Sequence, residues 1–240
     1  MLTTVLEMFS AGQVDFLQLF ILLGAFVLLI LVLMPVHEFA HAFVAYKLGD
    51  NTARWNGRLT LNPLAHIDWM GAIMIMLFGI GFARPVPVNS RYFKNPKQGM
   101  ALTALAGPVS NILMAVVSVA IFRVMVLIDG ADPTRLIMGP FFVGSEWLYY
   151  AYIVLIEVFA GVNIGLAVFN LLPIPPLDGS RIFSAILPDK WVYYMNRYEQ
   201  YIMMGLFLLL FTNVLDAPLT WLRETVGGGI ATLFGMPDLM

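Results

Sequence analysis

The stretch FLQLFILLGAFVLLILVLMPVHEFAH, residues 16–41, decides the fold and points to the chemistry. Residues 16–36 form an apolar run of 21 residues in which Gln18 is the one side-chain amide. At about 1.5 Å per residue, a helix of that length covers the ~30 Å hydrocarbon core of a bilayer. The run is too long for a signal peptide, and the flank before it carries Glu7 and Asp15 but no Lys or Arg, so it is expected to stay as a membrane span. It leads into His37-Glu38-Phe39-Ala40-His41, an HExxH. Side chains four apart on a helix share a face, so the two imidazoles can hold one Zn²⁺ while Glu38 acts on water as a general base. Two histidines and a glutamate in membrane-embedded sequence are costly without a function.

Composition narrows the rest. Of 240 residues, 60% are hydrophobic and 12% charged, against roughly 25% charged in a soluble domain, which excludes an ordinary soluble enzyme. Thirteen Lys and Arg against fifteen Asp and Glu give a net charge of −2, so there is no basic surface for nucleic acid. Cysteine is absent, which removes thiolate chemistry and cysteine metal sites, so a metal must sit on His, Asp or Glu. The histidines are His37, His41 and His66.

Three further apolar segments, 101–128, 148–170 and 198–215, are long enough to cross, with helical interruptions expected at Gly107-Pro108 and at several glycines. The 69–83 segment has only 15 residues, and both its flanks are basic: Lys47, Arg54, Arg58, Arg84, Arg91, Lys94 and Lys97 surround it. By the positive-inside bias both flanks are cytoplasmic, which makes 69–83 a re-entrant hairpin; a short tilted span in a thin membrane is the alternative. Four spans then run outside-in-outside-in-outside. Arg135 and Arg223 lie outside, while Arg181, Lys190 and Arg197 join the seven inside. Arg123 snorkels from the outer end of its helix. Residues 54–62 (RWNGRLTLN) and 85–93 (PVPVNSRYF) alternate and hold β-branched residues, which predicts a small cytoplasmic-side β-sheet with Pro85 and Pro87 at its edge. The expectation is an all-α polytopic membrane protein forming one domain over 1–240, with its core at about 16–215.

A catalytic zinc takes three protein ligands and keeps an open position. His37 stands about 32 Å below the outer end of its span, near the cytoplasmic side. Glu157, about nine residues into an inward-running span, falls ~18 Å short of that depth and reads as lining a polar interior. Asp178 fits the depth, because it follows the inner end of the same span through the proline-rich turn from Asn170 to Gly179. His66, in the cytoplasmic LNPLAHID stretch, competes for the third position or stands as a polar residue near the site entrance. Asn111, beside Gly107-Pro108, could donate to a peptide carbonyl or bind one helix to another.

These residues together resemble the site-2 protease family of intramembrane zinc metalloproteases, in its compact form without PDZ or CBS domains. The resemblance covers about residues 34–187 and includes the GRLTLNPLAHID stretch from Gly57. It implies His37, His41 and Asp178 as zinc ligands, Glu38 as catalytic base and Asn111 as a substrate-touching asparagine. It also implies a transmembrane protein substrate cut near its cytoplasmic end, a bacterial inner membrane, and room for a regulatory membrane partner. Two rivals stand beside it: a membrane-anchored zinc peptidase acting on soluble or surface peptides, and a carrier that binds metal without hydrolysis. Reporters fused after Lys97 and after Lys190 are expected to report cytoplasm, and those near Asp132 and at the C-terminus the outer side; an outer signal after Lys97 excludes the hairpin.

Overall fold

The computed structural model describes residues 24, 27–78, 83–138, 141–142, 144–212, 214–237 and 239–240; the start of the 16–36 run and part of the 69–83 hairpin lie outside them. The chain divides into two compact units, Met1–Gly99 and Met100–Met240.

The first unit is organised by α1 (Met34–Lys47), which continues a π-helical turn at Leu29–Leu33. Pro35 stands in the first turn of α1. A proline inside a continuing helix has no N–H to give and crowds the carbonyl four residues back, and the wider π turn relieves that crowding while the helix goes on. After α1 the chain reverses through Gly49, at φ 107°. Asp50, fully buried, fixes the reversal: one carboxylate oxygen accepts from the Thr52 amide at 2.9 Å and hydroxyl at 2.5 Å, the other from the Asn89 amide at 2.6 Å. Single helical turns follow at Thr52–Trp55 and Pro63–His66, then α2 (Trp69–Phe78). α2 is described over ten residues, up to the 79–82 stretch that lies outside the described residues.

The β-sheet expected over 54–62 and 85–93 does not form. Arg54 and Trp55 belong to a helical turn, and residues 83–89 run extended without a strand partner. The donors a ladder would need are spent elsewhere or missing. Pro85 and Pro87 have no N–H, the Arg84 amide donates to the His66 carbonyl at 2.9 Å, and the Val86 amide donates to the Glu38 carboxylate at 3.1 Å. Among the described residues the strands are two-residue pieces elsewhere, β1 (Ile137–Met138) and β2 (Phe141–Phe142), paired antiparallel.

In the second unit lies most of α3 (Pro96–Asp129), which runs without a break through Gly107-Pro108, contrary to the expected interruption. Proline's fixed φ is helical, so only one backbone bond is lost, and the Ser110 hydroxyl donates to the Gly107 carbonyl at 2.7 Å. Next comes α4 (Glu146–Asn170), whose middle, Ile153–Ala160, is π-helical. A π turn moves its carbonyls out of register; the buried Ser118 hydroxyl of α3 donates to one of them, Leu155, at 2.5 Å. Then follow α5 (Asp178–Ser184), α6 (Asp189–Arg197), α7 (Glu199–Phe211) and α8 (Asp216–Leu233), with α7 and α8 bent by 84°. Phe122, Leu148, Ile156, Ile164, Ile230 and Met236 centre the core.

α3 and α4 are each long and apolar enough to cross a membrane, and the bent α7–α8 pair makes a third candidate. Leu102, Leu105, Val109, Leu113, Val117, Ile121, Val124 and Ile128 are exposed along one face of α3. Spaced three or four apart, they form an apolar stripe that water would penalise and lipid accepts. Trp191, Tyr193, Tyr194, Tyr198 and Tyr201 are exposed together at α6 and the start of α7, the composition of a membrane–water interface. The protein is a membrane protein. Leu113→Lys is expected to cost about 2.5 to 3.5 kcal/mol of membrane insertion, read as the inserted fraction of α3 in a microsomal assay.

Candidate active site

His37 and His41 lie one turn apart on α1, both buried, with ring planes at 83° and Nε2 atoms 3.0 Å apart. Two ring nitrogens at that distance aim at one point. His37, His41 and Asp178 form a group whose ligand atoms all lie within 4.8 Å of one another. Two imidazoles and a carboxylate brought this close are, in number and type, a donor set that could hold a zinc ion. A group of three leaves the fourth position for the reaction.

Local sequence explains how Asp178 is held. The chain leaves α4 through Leu171-Leu-Pro-Ile-Pro-Pro-Leu177, a path made of turns in which the Ile174 amide donates to the Leu172 carbonyl and the Leu177 amide to the Ile174 carbonyl, at 2.8 and 2.9 Å. Asp178 opens α5, and Gly179 behind it is buried. A Cβ on Gly179 would stand 2.3 Å from the carbonyl oxygens of Leu171 and Leu172, so only glycine lets the turn close on that backbone.

Glu38, between the histidines, turns its carboxylate to the Val86 amide. Val86 packs with Ala42 of α1 and Ala53, whose small side chains admit the extended 83–89 stretch beside the HExxH helix. Arg58 is buried and donates from Nη2 to the Arg84 carbonyl. Burial pulls the Arg58 pKa below the ordinary guanidinium value; the Glu38 charge opposes that shift and Arg84 adds to it. Sequence reading took Val86 to Val88 as an edge for a substrate strand and missed the Val86 amide as a partner of Glu38, and it missed Arg58. The signal was present, since Pro85 and Pro87 disqualify the stretch as an interior strand and an arginine in the loop after HExxH requires a partner.

The other candidates separate. His66 is 1% exposed, and its Nε2 meets the Thr60 carbonyl at 2.8 Å, so the ring braces its own loop; it does not belong to the metal group. Asn111 is fully buried on α3, and neither its Oδ1 nor its Nδ2 has a hydrogen-bond partner among the described residues, which differs from an amide that glues two helices. An unpaired buried amide costs about 1–3 kcal/mol. Glu157 accepts from the Tyr152 hydroxyl and lines a cavity of about 150 Å³ with Arg223 and Glu224. It does not belong to the metal group.

An HExxH helix whose two histidines group with a carboxylate, in a chain with long apolar helices, has the make-up of a membrane zinc protease. The chain belongs to peptidase family M50, whose profile matches residues 25–212. It is 40% identical over 195 residues to YwhC, named as a proposed zinc metalloprotease, of Bacillus subtilis (strain 168), covering 81% of this chain and 83% of YwhC. To Rip2 of Mycolicibacterium smegmatis, named in the same way, it is 32% identical over 164 residues, covering 65% of this chain and 56% of Rip2. A similarly named archaeal protein, MJ0611 of Methanocaldococcus jannaschii, is 31% identical over 153 residues, covering 62% and 63%. The chain thus spans little more than half the length of Rip2. No solved structure matches the chain. The protein is a zinc metalloprotease, and its family is the one the HExxH, Asn111 and Asp178 motifs resemble.

His37→Ala, His41→Ala and Asp178→Ala are each expected to lower zinc content from about one ion per chain, and His66→Ala to leave it unchanged, as measured by metal analysis of the purified protein. Gly179→Ala is expected to behave like Asp178→Ala, because its Cβ displaces the turn that carries the carboxylate.

Proposed function

We propose that this chain is an intramembrane endopeptidase that hydrolyses peptide bonds in or near the transmembrane segments of other membrane proteins, close to their cytoplasmic ends. The observation that carries the reading is the His37, His41 and Asp178 donor group in a chain whose long helices expose lipid-grade apolar faces. A soluble peptide has no need of an enzyme so placed. The reading includes four spans, a re-entrant 69–83 segment, one domain over 1–240 with its core at about 16–215, and a site facing the cytoplasm of a bacterial inner membrane. Support for the re-entrant segment comes from the basic residues on both its flanks.

His37, His41 and Asp178 would hold the zinc. The chemistry that zinc supplies when bound is Lewis acidity toward water and toward a carbonyl. Glu38 takes the proton from the attacking water and passes it to the leaving amine, and the Val86 amide fixes which way its carboxylate faces. The Asn111 carboxamide donates to the scissile carbonyl oxygen, where negative charge develops. The substrate helix unwinds locally, because a peptide bond locked in a helix cannot present its carbonyl.

Glu38→Gln is expected to keep its zinc and its fold and to lose activity to about a percent or below, since the carboxamide is nearly isosteric but does not accept a proton. Turnover and zinc are measured side by side in proteoliposomes, on a single-span protein and on a water-soluble peptide. Retained turnover rejects the hydrolytic assignment, loss of zinc as well favours the carrier, and turnover of the soluble peptide alone favours the surface peptidase.

A further inference from the structure

We infer that Arg58 is a positioning residue for the catalytic base: through the Arg84 carbonyl it holds the 84–86 backbone so that the Val86 amide meets the Glu38 carboxylate. The inference rests on the protease reading and adds a residue to it.

The path is short and lies within the first unit. Arg58 Nη2 donates to the Arg84 carbonyl, two residues before the Val86 amide that donates to Glu38 Oε2 at 3.1 Å. The Arg84 amide is fixed to the His66 carbonyl at 2.9 Å, and His66 is braced on Thr60, so both backbone groups of Arg84 are tied to the 58–66 segment. Arg58 is itself set by its own amide, which donates to the Ala53 carbonyl at 2.8 Å. Between the two anchored ends lies Pro85, whose ring removes a rotation, so the direction of the Val86 N–H follows from how Arg84 is held.

Burial of the guanidinium separates this role from that of a surface clamp. Arg58 is 7% exposed, and its Nε has no hydrogen-bond partner among the described residues. A loop brace needs one donor, and a neutral side chain could supply it without the cost of burying a charge. The carboxylate whose charge acts on Arg58 is Glu38. Val86 is also packed against Ala42 and Ala53, so removing Arg58 is expected to loosen the aim of the amide without unfolding the site.

The experiment uses the full chain in proteoliposomes with a single-span substrate that the wild type cuts, and compares Arg58→Met, Arg58→Lys, Glu38→Gln and the double variant Arg58→Met/Glu38→Gln. Arg58→Met is expected to keep its zinc and melting temperature, to lower kcat about 10- to 100-fold, the scale of a misplaced catalytic group, and to leave KM within about threefold. Arg58→Lys keeps a donor and the charge and should recover part of that loss. In the Glu38→Gln background, removal of Arg58 should cost no more than about twofold, since a residue that acts through Glu38 has nothing left to position. Hydrogen exchange of the metal-free protein over 83–90 should be faster in Arg58→Met. Unchanged kcat, an effect confined to KM, or the same fold-loss with and without Glu38 overturns the inference. If Arg58→Met does not fold, Arg58→Lys alone and with Glu38→Gln carries the same comparison. Equal turnover by wild type and Glu38→Gln is a different failure, that of the protease reading itself.

Discussion

Two imidazoles four residues apart converge only while the helix under them keeps its turn, and two residues before the first of them stands a proline. The metal group therefore depends on how α1 absorbs Pro35. The π turn at Leu29–Leu33 takes up the strain ahead of the motif, so that His37, Glu38 and His41 sit on regular helix. Had the helix kinked at Pro35 instead, the 3.0 Å approach of the two Nε2 atoms would have no reason to exist.

Elsewhere the structure uses backbone where side chains would be expensive. Lipid offers no hydrogen bonds, and several irregular stretches have polar groups met inside the protein. Asp50 closes the turn after α1, the carbonyls of Thr60 and His66 are used across the loop, and the π carbonyl of Leu155 is met by Ser118. Asn111 departs from this economy, as a fully buried amide with both atoms unmatched among the described residues.

HExxH was legible because it needs only a spacing and a helix, and Asp178 because it is a carboxylate that follows an apolar segment through a proline-rich turn. The long apolar helices were legible from hydropathy. What escaped were features decided by backbone groups. The 85–93 stretch alternates like a strand, yet two prolines and the Glu38 carboxylate remove the donors a ladder needs. Gly107-Pro108 looks like a break, yet proline's own φ is helical and α3 passes through it. Gly179 carries no side-chain chemistry for a pattern to catch, and its role is visible only from the two carbonyls that press on it.

The exposed stripe of α3 has a length as well as a direction. From Leu102 to Ile128 it covers about 39 Å of helix, against a hydrocarbon core of ~30 Å. A helix with that much apolar surface fits by leaning, by roughly 40° if leaning alone absorbs the excess, or by drawing the surrounding acyl chains out to match it. Either response ties the attitude of α3, and of the Asn111 that it carries, to the thickness of the bilayer. Lipids of longer chain would let the helix stand more upright, so membrane composition is a physical setting of this enzyme.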